Sequence, residues 1–250
     1  MLEIKNIRKA FSGTERPALS QIDLRVGTGE FCVVLGSNGS GKSTLLKLIS
    51  GEYSPDNGQV LFFGEPPCRY SHTVASVTQD ISLGTLPEMT LLENLALSSL
   101  SNKTAKFSGY QGHKETFRDI LRELNLEQFL HYPLRGLSGG QRQLIATIMA
   151  IISKPKLLLL DEHTSALDLK MQRYVMDYTA RAVREEKLTT LMITHNFEDA
   201  IRYGNQLILI HEGTIVFSCS GKEKESLTID DLLLHFHQIS HDQRAMEGTK

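Results

Sequence analysis

Gly36-Ser37-Asn38-Gly39-Ser40-Gly41-Lys42-Ser43-Thr44 is the stretch on which the fold turns. It fits the phosphate-loop pattern G-x-x-x-x-G-K-[ST], and its flanks agree with it. Phe31-Cys32-Val33-Val34-Leu35 precedes it, an apolar run that reads as a buried parallel strand. Leu45 to Ser50 follows, helix-forming and ended by Gly51. A bound triphosphate needs that order of strand, glycine turn and helix start. Glycines let backbone N–H groups approach phosphate oxygens, and the helix dipole adds partial positive charge. Gly36 to Thr44 therefore read as the nucleotide site. Within it Lys42 is expected to reach the β- and γ-phosphates, and the Ser43 hydroxyl to ligate Mg²⁺. A surface strand–turn–helix with a chance lysine is the plain alternative, and the flanks argue against it.

The 250 residues suffice for one large domain, or a domain with an inserted subdomain. Basic and acidic residues, 27 against 29, nearly balance. No basic excess points to nucleic acid, so none is expected as a partner. Cys32, Cys68 and Cys219 are odd in number and match no metal-ligand spacing, which suggests a reducing compartment. Cys32, inside the apolar run, reads as a small core residue. Met1 to Ile7 alternates like a strand and has no signal-peptide core. No segment approaches the roughly 18 uninterrupted apolar residues of a membrane helix. A soluble, intracellular chain is expected, held at any membrane by a partner.

Strand-like runs appear at Leu2 to Ile7, Ser20 to Val26, Phe31 to Leu35, Gly58 to Gly64 and Thr73 to Thr78. They return at Lys156 to Leu160, Thr189 to Ile193, Gln206 to His211 and Thr214 to Ser218. Between Leu91 and Ile152 the periodicity is helical, as in Phe117-Ile120-Leu121-Leu124. The expected fold is α/β, with a helical subdomain inserted into the core. The boundaries read as a nucleotide-binding domain at 1–221, with helices inserted at about 82–153, and a short extension at 222–250. Ile229 to Phe236 reads as an amphipathic helix, followed by a polar tail expected to fray.

Two further landmarks carry chemistry. Leu157 to Leu160 reads as a strand buried on both faces, with Asp161-Glu162 at its C-terminal end, where ligands bind open α/β sheets. Asp161 is the expected Mg²⁺ partner, through water, and Glu162 the expected general base on the attacking water. An apolar run ending in Asp-Glu is weak by itself; 119 positions after Lys42 of a phosphate loop it is strong. Leu137-Ser138-Gly139-Gly140-Gln141 heads a helical run to Ile152 and reads as a second anion-binding helix start. A helix cap alone would explain Ser138. It would leave two exposed glycines, each costing about 1 kcal/mol within a helix, without a reason.

With these motifs the chain resembles the ATP-binding-cassette (ABC) family, over all but about residues 222–250. The resemblance implies an α/β fold with a RecA-like P-loop NTPase core, an N-terminal antiparallel β subdomain and an inserted α-helical subdomain, and several further assignments. Gln79 corresponds to the glutamine that senses Mg²⁺ and faces the transport partner. Ser165-Ala166-Leu167-Asp168 corresponds to the D-loop, and His195 to the switch histidine that contacts the γ-phosphate. Phe11, 25 positions before Gly36, corresponds to the aromatic residue stacked on adenine, a core role being its alternative. The family implies ATP and Mg²⁺ as ligands, and a head-to-tail homodimer. Each ATP then lies between one copy's phosphate loop and the other's Ser138-Gly139-Gly140-Gln141. The dimer closes on ATP, opens after hydrolysis, and drives transmembrane permease subunits from the cytoplasmic face of the inner membrane.

One departure narrows the resemblance. Where the family carries proline after the catalytic glutamate, this chain has His163, as a lineage marker or a pH-sensing group. Glu162-His163-Thr164-Ser165-Ala166-Leu167-Asp168, with Gly84 to Leu97 and Gly136 to Met149, resembles a bacterial subgroup. Those ATPases work with a binding lipoprotein for tryptophan, tyrosine or related small solutes. Leu83, Leu86, Met89 and Leu92 read either as core of the helical subdomain or as a docking groove for the permease. Import is the leading expectation. The alternatives are an exporter or lipid/lipoprotein-extraction ATPase on the same engine, and a non-transport ABC protein.

Overall fold

The computed structural model describes residues 1–80, 84–100, 117–165 and 167–236. Leu83, Ala166, residues 101–116 of the expected helical insert and the expected fraying tail from 237 lie outside these. Nine strands occur among the described residues: β1 (Leu2–Lys9), β2 (Leu19–Val26), β3 (Phe31–Leu35), β4 (Asn57–Phe62), β5 (Val74–Val77), β6 (Leu157–Asp161), β7 (Thr189–Thr194), β8 (Gln206–His211) and β9 (Thr214–Ser220). Every strand-like run in the sequence has become one of them, with ends moved by a residue or two. The chain divides into two compact units, Met1–Ser71 with Thr189–Lys250, and His72–Leu188.

The first unit holds an antiparallel sheet in the order β2-β1-β4. In β2 the alternation Ile22, Leu24, Val26 inward and Asp23, Arg25 outward is that of a sheet with one wet face. Parallel pairing is found where the sequence is apolar without alternation. β3, buried at every position, lies between β7 and β8. Leu35 pairs with Thr194 on one side and Leu209 on the other, so β3 and β7 end at one level and β8 runs two residues further, to His211. Burying each large aliphatic side chain here contributes about 1.5–3 kcal/mol. β9 turns back antiparallel on β8. The stretch 229–236 is helical as expected, with Leu232 buried and His235 stacked on Phe217 at 4.2 Å between ring centres.

The second unit pairs β5 and β6 in parallel, Val77 opposite Leu160. Its helices include Leu91–Leu100, Gly139–Ile152 and Leu169–Glu185. They share a core of Leu91, Leu95, Phe117, Leu121, Leu144, Ile148 and Val175. The helix Leu169–Glu185 was not singled out in the sequence, yet it carries a clear signal. Asp168 caps it, accepting N–H bonds from Lys170 (3.1 Å) and Met171 (3.0 Å). Val175, Met176, Thr179, Ala182 and Val183 are its buried face, a 3.6-residue period. Before Leu91, the buried Asn94 ties down the loop: its Oδ1 accepts from Leu86 N–H (2.8 Å), and its amide donates to the Leu86 and Thr90 carbonyls. Both readings of the apolar loop residues find a member, Leu92 being core and Leu86 50% exposed.

Candidate functional site

The first unit carries the phosphate loop where β3 ends. A Cβ on Gly36 would lie 2.3 Å from the Ile210 carbonyl oxygen, and one on Gly41 2.4 Å from that of Ala18. Gly41 also has φ +105°, a backbone conformation that L side chains rarely adopt. Both glycines are therefore steric necessities of the turn. The turn between β8 and β9 braces it, Gly213 N–H donating to the Ser40 carbonyl at 3.0 Å. The helix Lys42–Ser50 starts at Gly41 with no side-chain cap and no acidic residue in its first turn. Its positive end is left to an anionic ligand.

Lys42 is 5% exposed and folds over the loop, its Nζ donating to the Gly36 and Ser37 carbonyls at 2.8 Å each. Phosphate oxygens would add charge-assisted hydrogen bonds to this buried ammonium. The Ser40 hydroxyl is buried with no protein partner within the described residues. Ser37, Asn38 and Gly39 form the exposed rim, Gly39 with open space where a Cβ would stand. Ser43 and Thr44 lie in the first helical turn.

His195 follows β7 directly and is exposed. Since Thr194 pairs with Leu35, His195 and Gly36 leave neighbouring parallel strands at the same level. Asn196 then caps the helix Phe197–Arg202, accepting from Glu198 N–H at 2.8 Å. Phe11 lies just beyond β1, 36% exposed, so it is no core residue.

The second unit gathers the carboxylates and Gln79. Val77 and Leu160 are register partners, so Gln79 and Glu162 stand two residues beyond the same rung, with Asp161 between. Gln79 is exposed; Asp161 and Glu162 are half-buried. Glu162 takes φ +45°, rare for a residue with a side chain, and its carbonyl accepts from Ser165 N–H at 3.0 Å to close the turn. His163 is 3% exposed and its Nε2 has no partner among the described residues. Burial pushes its pKa down to about 4, which keeps the imidazole neutral near pH 7 and argues against pH sensing. Gln143, which the sequence did not mark, donates to the Thr78 carbonyl at 3.4 Å and ties the helix Gly139–Ile152 to the segment leading into Gln79.

Ser138 caps that helix through a reciprocal box. Gln141 N–H donates to Ser138 Oγ at 3.2 Å, and Ser138 N–H to Gln141 Oε1 at 2.9 Å. The expectation of two exposed glycines needs correcting. Gly139 is exposed with open space around its Cα, but Gly140 is half-buried, and a Cβ there would meet Met171 Cγ at 2.8 Å. Close helix packing accounts for Gly140, and only Gly139 is left without a reason inside the monomer.

Residues 19–165 match the ABC transporter family. A tyrosine transport ATP-binding protein of Clostridioides difficile (strain R20291) is 41% identical over 94% of this chain and 98% of its own length. A sulfate/thiosulfate import ATP-binding protein of Pseudomonas aeruginosa is 32% identical over 98% of this chain and 76% of its own length. Among solved structures, a dimeric ATP-binding cassette in a post-hydrolysis state with ADP and Pi superposes with TM-score 0.76 at 27% identity, covering 88% of this chain and 98% of the other. The chain therefore belongs to the ABC transporter family, as an ATP-binding subunit that hydrolyses ATP.

Proposed function

We propose that this subunit dimerises around two ATP molecules and powers a permease importing a small solute, an aromatic amino acid such as tyrosine being the favoured class. The observation that carries the ATP site is the sterically enforced glycine cradle around Lys42, at an uncapped helix start. In this reading Gly36 to Thr44 hold the phosphates and Phe11 stacks on adenine. Ser43, Gln79 and Asp161 offer a hydroxyl, an amide oxygen and a carboxylate, hard oxygen donors that suit Mg²⁺, which keeps several waters. When bound, Mg²⁺ neutralises charge on the β- and γ-phosphates. Glu162 accepts a proton from the attacking water as its oxygen bonds to the γ-phosphorus. The β–γ bridging bond breaks, releasing ADP and phosphate, while His195 contacts the γ-phosphate and Lys42 holds the β- and γ-oxygens.

Ser138, Gly139, Gly140 and Gln141 of one copy close the ATP held by the other. A cassette at 1–221, with a helical insertion at about 82–153 and an extension at 222–250, is the division we favour. No helix among the described residues is long and apolar enough to cross a membrane. The permease then holds the subunit peripherally at the cytoplasmic face, and the exposed Leu86 belongs to the surface it would meet. The tyrosine-transport relative supports the substrate class, and the import proteins among the relatives support direction. A substrate-binding lipoprotein reached through the permease completes the system.

The test is a pull-down of tagged Glu162→Gln protein from its native membranes with ATP. Turnover should vanish while a dimer accumulates and a multi-span permease co-purifies, with a binding lipoprotein if the system imports. A permease without any binding protein would favour export. Recovery of soluble partners alone would remove the transport assignment.

A further inference from the structure

A second group of side chains converges on Phe11, and none of them belongs to the motifs above. Asp56, in the turn leading into β4, accepts from Lys9 Nζ at 2.9 Å with one carboxylate oxygen and from Ala10 N–H at 2.7 Å with the other. Its own N–H donates to the Arg8 carbonyl at 2.9 Å. One residue thus fixes the three positions before Phe11. The Lys9 ammonium, followed by the Ala10 amide, holds the Asp56 carboxyl below its ordinary pKa, so it is ionised at neutral pH. On the other side Thr14 donates to the Phe11 carbonyl from its N–H (3.3 Å) and its hydroxyl (2.8 Å).

The ring is held as well as the backbone. Lys9 Nζ, set by Asp56, stands 5.7 Å over the Phe11 centroid. Tyr53 meets Phe11 in an edge-type contact, centroids 5.4 Å apart and planes at 69°. Tyr53 is itself anchored, its N–H donating to the Lys47 carbonyl at 3.0 Å and Lys47 Nζ standing 5.2 Å over its ring. A half-exposed phenyl group at a loop start ordinarily samples several rotamers and loses that freedom when a ligand stacks on it. Here a cation and an aromatic edge occupy part of its surface and leave the remainder open.

We infer that Asp56 and Tyr53 are positioning residues for the nucleotide base: through Lys9 and through direct ring contact they hold Phe11 ready as a stacking platform before ligand arrives. This rests on Phe11 being the adenine platform. The test is ADP binding to the full chain by isothermal titration calorimetry, with KM and kcat for ATP and thermal melts alongside. Tyr53→Leu and Asp56→Asn should each weaken ADP about three- to tenfold and raise KM while leaving kcat and the melting temperature near wild type. Tyr53→Phe, which keeps the ring, should bind within about twofold of wild type.

Neither substitution should weaken ADP further once Phe11→Ala is present, since both act through that ring. Two results overturn the proposal while sparing the platform. Either Phe11→Ala weakens ADP and the other two do not, or their losses persist undiminished beside Phe11→Ala. If Phe11→Ala alone leaves ADP binding unchanged, the platform reading falls and takes the proposal with it. Should Asp56→Asn unsettle the loop, Tyr53→Leu with its Tyr53→Phe rescue decides the matter.

Discussion

The glycine-bearing helix starts at Gly41 and at Ser138 are built on opposite principles. At Gly41 the helix Lys42–Ser50 has no side-chain cap, and the preceding turn is so tight that Gly36 and Gly41 admit no side chain. At Ser138 the helix Gly139–Ile152 is closed by its own residues, Ser138 and Gln141 each bonding the other's backbone. The first start is incomplete by itself and leaves its dipole to an anion. The second is stable without any ligand and keeps its exposed glycine, Gly139, at the surface. In the proposed dimer the open end holds the ligand, and the capped end of the other copy meets it. Substitutions at the two starts should therefore separate into losses of binding and losses of assembly.

The largest effect is expected at Gly36. An alanine Cβ there would press on the Ile210 carbonyl and the Ser40 hydroxyl, at 2.3 and 2.7 Å. The main chain must shift, so Gly36→Ala should weaken ATP by about a hundredfold or more, on the scale of a lost anion cradle. Titration of the purified monomer would show it. Affinity within about tenfold of wild type would mean the loop adapts, and the contrast with Ser138 would dissolve.

Next comes Ser138→Arg. The side chain points to solvent at a capped end, so the monomer should bind ATP normally and lose only about 1 kcal/mol from the missing cap. ATP-driven dimerisation of Glu162→Gln protein, followed by size-exclusion chromatography, should disappear. A dimer that survives the arginine would place this helix start outside the interface. Gln141→Ala sharpens the same point at smaller scale. It removes the return bond to Ser138 N–H, worth about 1 kcal/mol in a thermal melt, without placing bulk on the surface.

What the sequence disclosed and what it withheld divide along the same line. β3 and β8 were legible to the residue, because apolar runs flanked by glycine turns allow little else. Phosphate-loop, carboxylate and switch positions follow from strand ends, and the registers Leu35–Thr194 and Val77–Leu160 set them at matching levels within their units. The reason for Gly140 was hidden, since it lies in Met171, which is distant in sequence and packed against it only in three dimensions. Tyr53 and Asp56 were silent for the same cause: nothing in their neighbours announces Phe11. The neutrality of His163 is a consequence of burial, and a histidine after a strand does not reveal its depth.

The smallest expected effect, on the monomer, is at Gly139, and it tests the comparison most directly. An alanine there meets nothing within 4 Å and occupies the first helical position, where it is favoured over glycine. Gly139→Ala should therefore melt at or slightly above wild type, by up to about 1 kcal/mol, with ATP affinity of the monomer unchanged. Glycine at this place costs stability, and in the proposed dimer a ligand or partner surface that an extra methyl group would obstruct accounts for it. ATP-dependent dimerisation measured on the same protein should weaken, in contrast to its improved melt. A Gly139→Ala protein that is both more stable and fully competent to dimerise would show that this helix end meets no second copy. The glycine would then be a residue the fold tolerates, and only the phosphate loop would remain as an anion site.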